Sequence, residues 1–141
     1  MHAEILKPVV VLVVWSLVMW GWMLAVRLPA MKAAGIELGK LVGTKGSDAD
    51  RALPAKAQWP AHNYNHLMEQ PTIFYAATVV LAVSGNGSGA AAVLAWAYAA
   101  LRIAHSIVQA TVNGVALRFL LFVASTAALI GLAALAAVVV F

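Results

Sequence analysis

The stretch that decides the fold is WPAHNYNHLMEQPTIFYAA, residues 59–77, in which polar and ionisable side chains interrupt a segment apolar enough to enter a membrane. At helical spacing His62, His66 and Glu69 occupy positions i, i+4 and i+7, so one stripe of the helix carries all three. Asn65 lies one step to the side of that stripe. An ionisable group inside a bilayer is costly unless it faces protein or water. We therefore predict that this stripe belongs to a functional site.

The composition of the whole chain predicts one membrane-embedded domain. Hydrophobic residues make up 64% of the 141 residues and charged residues only 10%, which is more apolar surface than a soluble domain can bury. Four apolar segments have the length that a bilayer requires of a helix, and we expect spans at residues 8–30, 59–83, 90–110 and 116–141. Pro71 lies within the second of these spans, and we expect it to kink that helix. The predicted fold is an all-α membrane protein, a four-transmembrane-helix bundle formed by residues 1–141 as a single domain.

The first apolar segment is predicted to be a retained span rather than a cleaved signal peptide. It runs from Val9 to Val26, and no small-residue cleavage site follows it directly. The chain has no cysteine, which excludes disulfides, thiolate metal ligands and a cysteine nucleophile. Any thiol chemistry must therefore use the thiol of a ligand.

The segment 31–58 is the one substantial polar loop, and its basic residues predict the orientation. It contains more basic than acidic side chains: Lys32, Lys40, Lys45, Arg51 and Lys56 against Glu37, Asp48 and Asp50. Loops rich in Lys and Arg beside membrane spans stay in the cytoplasm. We expect an integral, multi-pass protein of a bacterial inner membrane, with this loop cytoplasmic and both termini periplasmic.

The polar residues of the four predicted spans gather at one depth. With this topology, spans one and three end at the cytoplasmic side and spans two and four begin there. The cytoplasmic halves hold Arg27, His62, Asn65, His66, Glu69, Arg102, His105, Gln109 and Arg118. Ser106 shares one face of span three with the polar residues of that span. The cluster is net cationic, so we expect an anionic ligand that enters from the cytoplasm.

Simpler interpretations of the same residues stay open. Arg27 and Arg118 would also suit side chains that extend to the cytoplasmic headgroups. Glu69 and Arg102 would also suit an interhelical ion pair that only fixes the bundle, and the histidines of span two would suit hydrogen-bonded structural groups. The convergence of all these residues at one depth favours a site.

A metal site is a further alternative for the histidines. His62 and His66 could present two imidazoles to one ion, with Glu69 and His105 as additional ligands. The neighbouring arginines of spans three and four would bring positive charge to the same place. We therefore expect no metal.

Three motifs resemble those of a known family. They are NHLMEQPTIF at residues 65–74, RIAHSIVQ at residues 102–109 and ALR at residues 116–118. Together with four spans and a polar first cytoplasmic loop, they resemble the MAPEG family, the membrane-associated proteins in eicosanoid and glutathione metabolism. The resemblance covers nearly the whole chain.

The resemblance implies a homotrimer that binds glutathione in clefts between subunits, with a lipophilic small molecule arriving from the membrane lipid. Arg118 falls where an arginine holds the reactive thiolate, and this is the implied catalytic residue. The implied glutathione-binding residues are Arg27, Asn65 or His66, Glu69, Arg102, His105 and Gln109. No nucleic acid is expected as a partner.

These residue types suit glutathione, which is expected as a co-substrate. Its carboxylates are best met by arginine and its ammonium by Glu69, and a guanidinium favours the thiolate over the thiol. Two departures are visible: Gln109 replaces a tyrosine of eicosanoid-type members, and Phe119 replaces a serine of the prostaglandin synthase. Prostaglandin synthesis is therefore not expected.

The function predicted from the sequence is a membrane-bound glutathione-dependent transferase or peroxidase that acts on lipophilic electrophiles. Two alternatives remain at this stage. One is a non-enzymatic protein with the MAPEG fold, favoured by the loss of both hydroxyl groups. The other is a small proton-coupled transporter that uses Glu69, disfavoured because the polar cluster occupies only one half of the membrane.

Overall fold

The structure, a computed structural model, describes residues 3–141. The described part of the chain is helical and contains no β-strand. Its α-helices, in chain order, are α1 (Leu6–Ala33), α2 (Ala49–Ala52), α3 (Ala55–Met68), α4 (Pro71–Val83), α5 (Ala90–Thr111) and α6 (Val115–Val140). Three short 3₁₀ helices accompany them, at Ala3–Ile5, Leu38–Lys40 and Gly46–Asp48.

Three of these helices, α1, α5 and α6, are long and apolar enough to cross a membrane. At 1.5 Å per residue, even the 22 residues of α5 extend about 33 Å, against a hydrocarbon core of about 30 Å. Most of the α1 surface is exposed and apolar, including Val10, Val14 and Leu17. Such a surface is stable only against lipid or another apolar surface, so the predicted all-helical membrane fold is confirmed at this level.

The second predicted span differs from the prediction. A single kinked helix was expected over residues 59–83, but the helix begins earlier, at Ala55, and is broken at Glu69 and Gln70. The backbone of Glu69 (φ −90°, ψ −97°) is not helical. Pro71 is the first residue of α4, where its missing N–H is harmless, whereas within a continuous helix its ring would clash with a preceding carbonyl. The proline therefore separates two helices instead of bending one.

The predicted polar loop is also shorter than expected. Helix α1 continues to Ala33, and both α2 and the first turn of α3 lie within residues 31–58. The remaining segment is fixed by its own turns and by hydrogen bonds to the helices. The helices α1, α5 and α6 begin and end within three residues of the spans expected at 8–30, 90–110 and 116–141.

Helix α5 is the central helix, because it packs against α1, α3, α4 and α6. Its Tyr98 is fully buried and stacks on Phe74 of α4, with ring centroids 4.4 Å apart. Leu12 and Met19 of α1 and Leu132 of α6 complete the same apolar core. The polar face of α5 is consequently turned into the bundle, toward α3 and α6.

Candidate functional site

The structure distributes the predicted site residues over two clefts and the interior between the helices. The first cleft, of about 270 Å³, is lined by Arg27, Lys45, Gly46, Ser47, Asp50, Ala61, His62 and Asn65. The second, of about 210 Å³, is lined by His66, His105, Val115, Arg118, Phe119 and Phe122. Arg102, Gln109 and Glu69 line neither cleft. One subunit therefore does not bring all the predicted residues to one place.

The first cleft lies where the polar loop folds over the ends of α1 and α3. Arg27 Nη2 donates hydrogen bonds to the carbonyl of Gly46 (2.7 Å) and to Oε1 of Gln58 (2.9 Å). Gln58 Nε2 in turn donates to the carbonyl of Ala49 (2.8 Å). A Cβ atom on Gly46 would stand 3.3 Å from Arg27 Nη1, so the loop approaches the guanidinium closely. Arg27 thus already anchors the loop.

A second contact holds the same loop to α3. His62 Nε2 and Asp50 Oδ1 are 3.0 Å apart, and both side chains are partly exposed. Asn65 lies exposed at the edge of the cleft, three residues further along α3. The cleft therefore combines basic, acidic and amide groups, which suit a polar ligand.

The second cleft combines basic side chains with aromatic rings. The imidazoles of His66 and His105 are stacked, with centroids 5.8 Å apart and planes 9° from parallel. His105 also faces the ring of Phe122 at 6.4 Å. Of the wall residues, Phe119 is 68% exposed, so much of this wall is open to the surroundings of the subunit. This cleft could hold an anionic atom and an apolar group side by side.

Arg118 is held in the second cleft by the turn that precedes α6. Its Nη1 donates a hydrogen bond to Oδ1 of Asn113. Asn113 has φ +54°, a left-handed conformation that asparagine tolerates better than most residues. The turn at Asn113-Gly114 therefore both connects α5 to α6 and orients Arg118.

Arg102 is buried between helices, with 1% of its surface exposed. Its Nη2 donates to the carbonyl of His66 (3.1 Å), and its guanidinium carbon lies 5.8 Å from the centroid of Phe122. Within residues 3–141 its Nε and Nη1 have no hydrogen-bond partner. Burial of a guanidinium without an anion is energetically unfavourable, so Arg102 lowers the stability of the bundle unless an anion binds to it.

The expected alternative of a Glu69–Arg102 ion pair is not observed. The ion pairs of the described chain join Lys7 to Glu4, Lys40 to Glu37 and His62 to Asp50. Glu69 is exposed at the break between α3 and α4. Because the helix ends at Met68, its carboxylate does not continue the stripe of His62 and His66 that helical spacing predicted.

Gln109 lies inside the bundle, with 3% of its surface exposed and no partner for its Oε1 among the described residues. The side chain lies two helical turns from Arg102 on the same face of α5. It lines neither cleft, so the structure does not bring it to Arg118. Among residues 3–141 there is no group of three or more His, Cys, Asp or Glu side chains that could hold a metal ion.

Sequence reasoning missed two interhelical hydrogen-bond clusters. Ser106 Oγ accepts from Asn63 Nδ2 (2.6 Å) and from Trp15 Nε1 (2.9 Å), which joins α5 to α3 and α1. Gln70 forms the second cluster, with Tyr98 of α5 and Thr126 of α6. The available signal was the spacing of Asn63, Leu67 and Gln70, which stand at i, i+4 and i+7 beside the histidine stripe.

Comparison with known proteins identifies one family. The family model described as MAPEG matches residues 5–138, nearly the whole chain. No curated protein and no solved structure gives a significant match.

Proposed function

Because the chain belongs to the MAPEG family, we propose that it is a membrane-bound glutathione-dependent transferase or peroxidase that acts on lipophilic electrophiles. Glutathione is the co-substrate, and the electrophile reaches the protein from the bilayer. The observation that carries the proposal is the second cleft, in which Arg118 and two imidazoles face two phenylalanine rings. A thiolate and an apolar reaction partner both find suitable surroundings there.

Arg118 is the proposed catalytic residue, because it stabilises the thiolate of bound glutathione. The thiolate is the nucleophile, and its formation near neutral pH needs a nearby positive charge. Each unit by which the thiol pKa falls corresponds to about 1.4 kcal/mol of differential stabilisation. The guanidinium of Arg118, which lies beside apolar rings in the second cleft, could supply that amount. The thiolate then forms a C–S bond with an electrophilic carbon, and the electrophile either expels a leaving group or takes up a proton after the addition. With a peroxide, the thiolate attacks one oxygen, the O–O bond breaks to release an alcohol, and a second glutathione converts the resulting sulfenate to the disulfide and water.

The remaining predicted residues are proposed to bind the tripeptide. Arg27 and Arg102 suit its two carboxylates, and Glu69 suits its ammonium. Asn65, His66, His105 and Gln109 complete the proposed set. Arg102 supports this assignment best, because its Nε and Nη1 are buried without a partner in the described chain and an anion would satisfy them.

We propose further that three subunits together form the binding site. The predicted residues are divided between two clefts, the interior and the surface of one subunit, and this division supports sites shared between neighbours. In the proposed assembly α3 and α4 together form span two, which adds a fourth membrane crossing to those of α1, α5 and α6. Residues 55–83 would extend about 43 Å if they continued in one direction, which is enough to cross a bilayer. The clefts would open toward the cytoplasm.

The decisive experiment is glutathione binding to the detergent-purified protein by calorimetry, followed by ultraviolet difference absorbance for the thiolate. We expect binding with a thiolate signal in the unaltered protein. Arg118→Ala should lose the thiolate signal, because the stabilising charge is gone. Arg51→Ala, which removes an exposed arginine of α2, is the matched control and should leave both signals unchanged.

Each other outcome selects a different function. Binding without a thiolate signal would favour a non-enzymatic member of the family. Absence of glutathione binding in the folded protein would contradict the proposal. Proton-linked substrate flux in liposomes would then test the transporter that uses Glu69.

A further inference from the structure

The break between α3 and α4 is fixed by its own backbone. The carbonyl of Glu69 accepts hydrogen bonds from Oγ1 of Thr72 (2.7 Å) and from the Thr72 backbone N–H (3.2 Å). Pro71 is the first residue of α4 and has no N–H to donate to a carbonyl of α3, which favours a break at this point. The main chain of Glu69 is therefore held at the first turn of α4.

Gln70, the next residue, fastens this break to two other helices. Its Nε2 donates to Oγ1 of Thr126 in α6 (2.9 Å), and its Oε1 accepts from the hydroxyl of Tyr98 in α5 (3.3 Å). Tyr98 is fully buried and is packed against Phe74, so Gln70 is bonded to a side chain of the bundle interior. One side chain thus joins the break to the centre of the bundle.

The same cluster extends to the second cleft. Thr126 Oγ1 donates to the carbonyl of Phe122 (2.8 Å) while it accepts from Gln70. Phe122 lines the second cleft together with Arg118. Through Thr126, Gln70 therefore contacts the turn of α6 that begins at Phe122.

Glu69 is left with an exposed carboxylate at the break. It forms none of the ion pairs found among residues 3–141. A helical backbone would have carried its side chain along the histidine stripe of α3, whereas the broken backbone directs it to the protein surface. The direction of the Glu69 carboxylate therefore depends on the contacts of Thr72 and Gln70 that maintain the break.

We propose that Gln70 is a positioning residue, which through Thr126 and Tyr98 holds Glu69 where its carboxylate binds the ammonium of glutathione. This inference rests on the proposed function. It adds that ammonium recognition depends on a side chain that touches no substrate. Loss of Gln70 should therefore reduce selectivity for the ammonium rather than affinity in general.

The test compares glutathione with an analogue that lacks only its α-amino group. The unaltered protein should bind glutathione at least about tenfold more tightly than the analogue, as expected for a charge-assisted hydrogen bond. Glu69→Gln should abolish this preference. Gln70→Ala should reduce it severalfold while the dissociation constant of the analogue stays unchanged.

Two near-isosteric variants test the same cluster where Gln70→Ala disturbs folding. Thr126→Val removes the hydroxyl that accepts from Gln70, and Tyr98→Phe removes the other partner. Both should lower the preference for glutathione, and Thr126→Ser, which restores a hydroxyl, should recover it. Thr111→Ala is the matched control, because its hydroxyl donates only to the carbonyl of Ile107 in its own helix.

The outcomes separate this inference from the proposed function. If Gln70→Ala and Thr126→Val kept the full preference for glutathione over the analogue while Glu69→Gln lost it, only the positioning role of Gln70 would be overturned. Equal weakening of both ligands in these variants would also overturn it, because that result indicates general destabilisation. Failure of the unaltered protein to bind glutathione would overturn both proposals.

Discussion

Ser106 joins three helices through a single oxygen atom. Its hydroxyl accepts from Asn63 of α3 and from Trp15 of α1, and all three residues lie in or against the buried core. We predict that Ser106→Ala lowers the free energy of unfolding by about 1–3 kcal/mol, because two donors lose their acceptor. Chemical unfolding in detergent measures this loss.

The matched control for Ser106 is Ser84→Ala. Ser84 is exposed in the turn after α4, so its replacement should change stability by less than about 0.5 kcal/mol. Equal stability of the two variants would show that the interhelical hydrogen bonds contribute nothing measurable.

Phe119 stands where a hydroxyl is found in the prostaglandin synthase of the family that the sequence resembles, and its ring forms a wall of the second cleft. We predict that Phe119→Ser lowers the apparent thiol pKa of bound glutathione by about one unit, since a hydroxyl would donate to the thiolate. Affinity for an apolar electrophile should fall at the same time. Thiolate absorbance against pH and the KM of the electrophile report the two effects separately.

Phe119→Leu is the control, because leucine keeps an apolar wall without adding a donor. It should leave the thiol pKa unchanged. A pKa shift of the same size in the leucine variant would show that access of water, rather than hydrogen bonding, controls ionisation.

At the scale of residues, the sequence predicted which side chains share a helix face better than it predicted which side chains they contact. Arg102, His105 and Gln109 were expected on one face, and in the structure that face is buried. Helical spacing could not tell which neighbouring element each side chain meets, because spacing describes one helix at a time. The hydrogen bond from Arg118 to Asn113 and the position of Gln109 outside both clefts depend on how α5 and α6 are joined.

Among the elements, the polar loop between α1 and α3 is attached to α1 by the side-chain hydrogen bonds of Arg27. Arg27 holds this loop through Gly46 and Gln58. We predict that Arg27→Ala increases the rate of tryptic cleavage within the loop severalfold, because backbone that loses its anchor opens more often. Limited proteolysis followed by mass spectrometry gives the rate at Lys45.

Lys32→Ala provides the comparison for the loop. Lys32 is an exposed basic residue near the end of α1 and makes no ion pair among the described residues. Its removal should leave cleavage at Lys45 unchanged. If Arg27→Ala behaved in the same way, the loop would be held by other contacts, such as the pair between His62 and Asp50.

Element prediction was accurate where hydrophobic length decides and inaccurate where a proline decides. Helices α1, α5 and α6 follow the predicted spans because continuous apolar length is a strong local signal. Pro71 was expected to kink a helix, but it begins a new one. A proline permits either outcome, and the choice depends on partners such as Thr126 and Tyr98 that lie on other helices.

In the whole molecule, two of the arginines proposed to bind glutathione lie in separate clefts, and this separation predicts how subunits cooperate. Arg27 belongs to the first cleft and Arg118 to the second. If each site combines the first cleft of one subunit with the second cleft of its neighbour, Arg27→Ala and Arg118→Ala remove different halves of a site. Each variant alone should then lack glutathione-dependent activity.

Co-expression of the two variants should restore part of that activity. In a randomly mixed ring, a site is intact when one contributing subunit retains Arg27 and the other retains Arg118, which happens for about a quarter of the sites. We therefore expect about a quarter of the unaltered activity per site from the mixture. Arg118→Ala carried on two differently tagged copies should give none. If verified mixed assemblies recovered no activity, both arginines would belong to the site of one subunit. If Arg27→Ala alone were fully active, Arg27 would serve only to hold the loop.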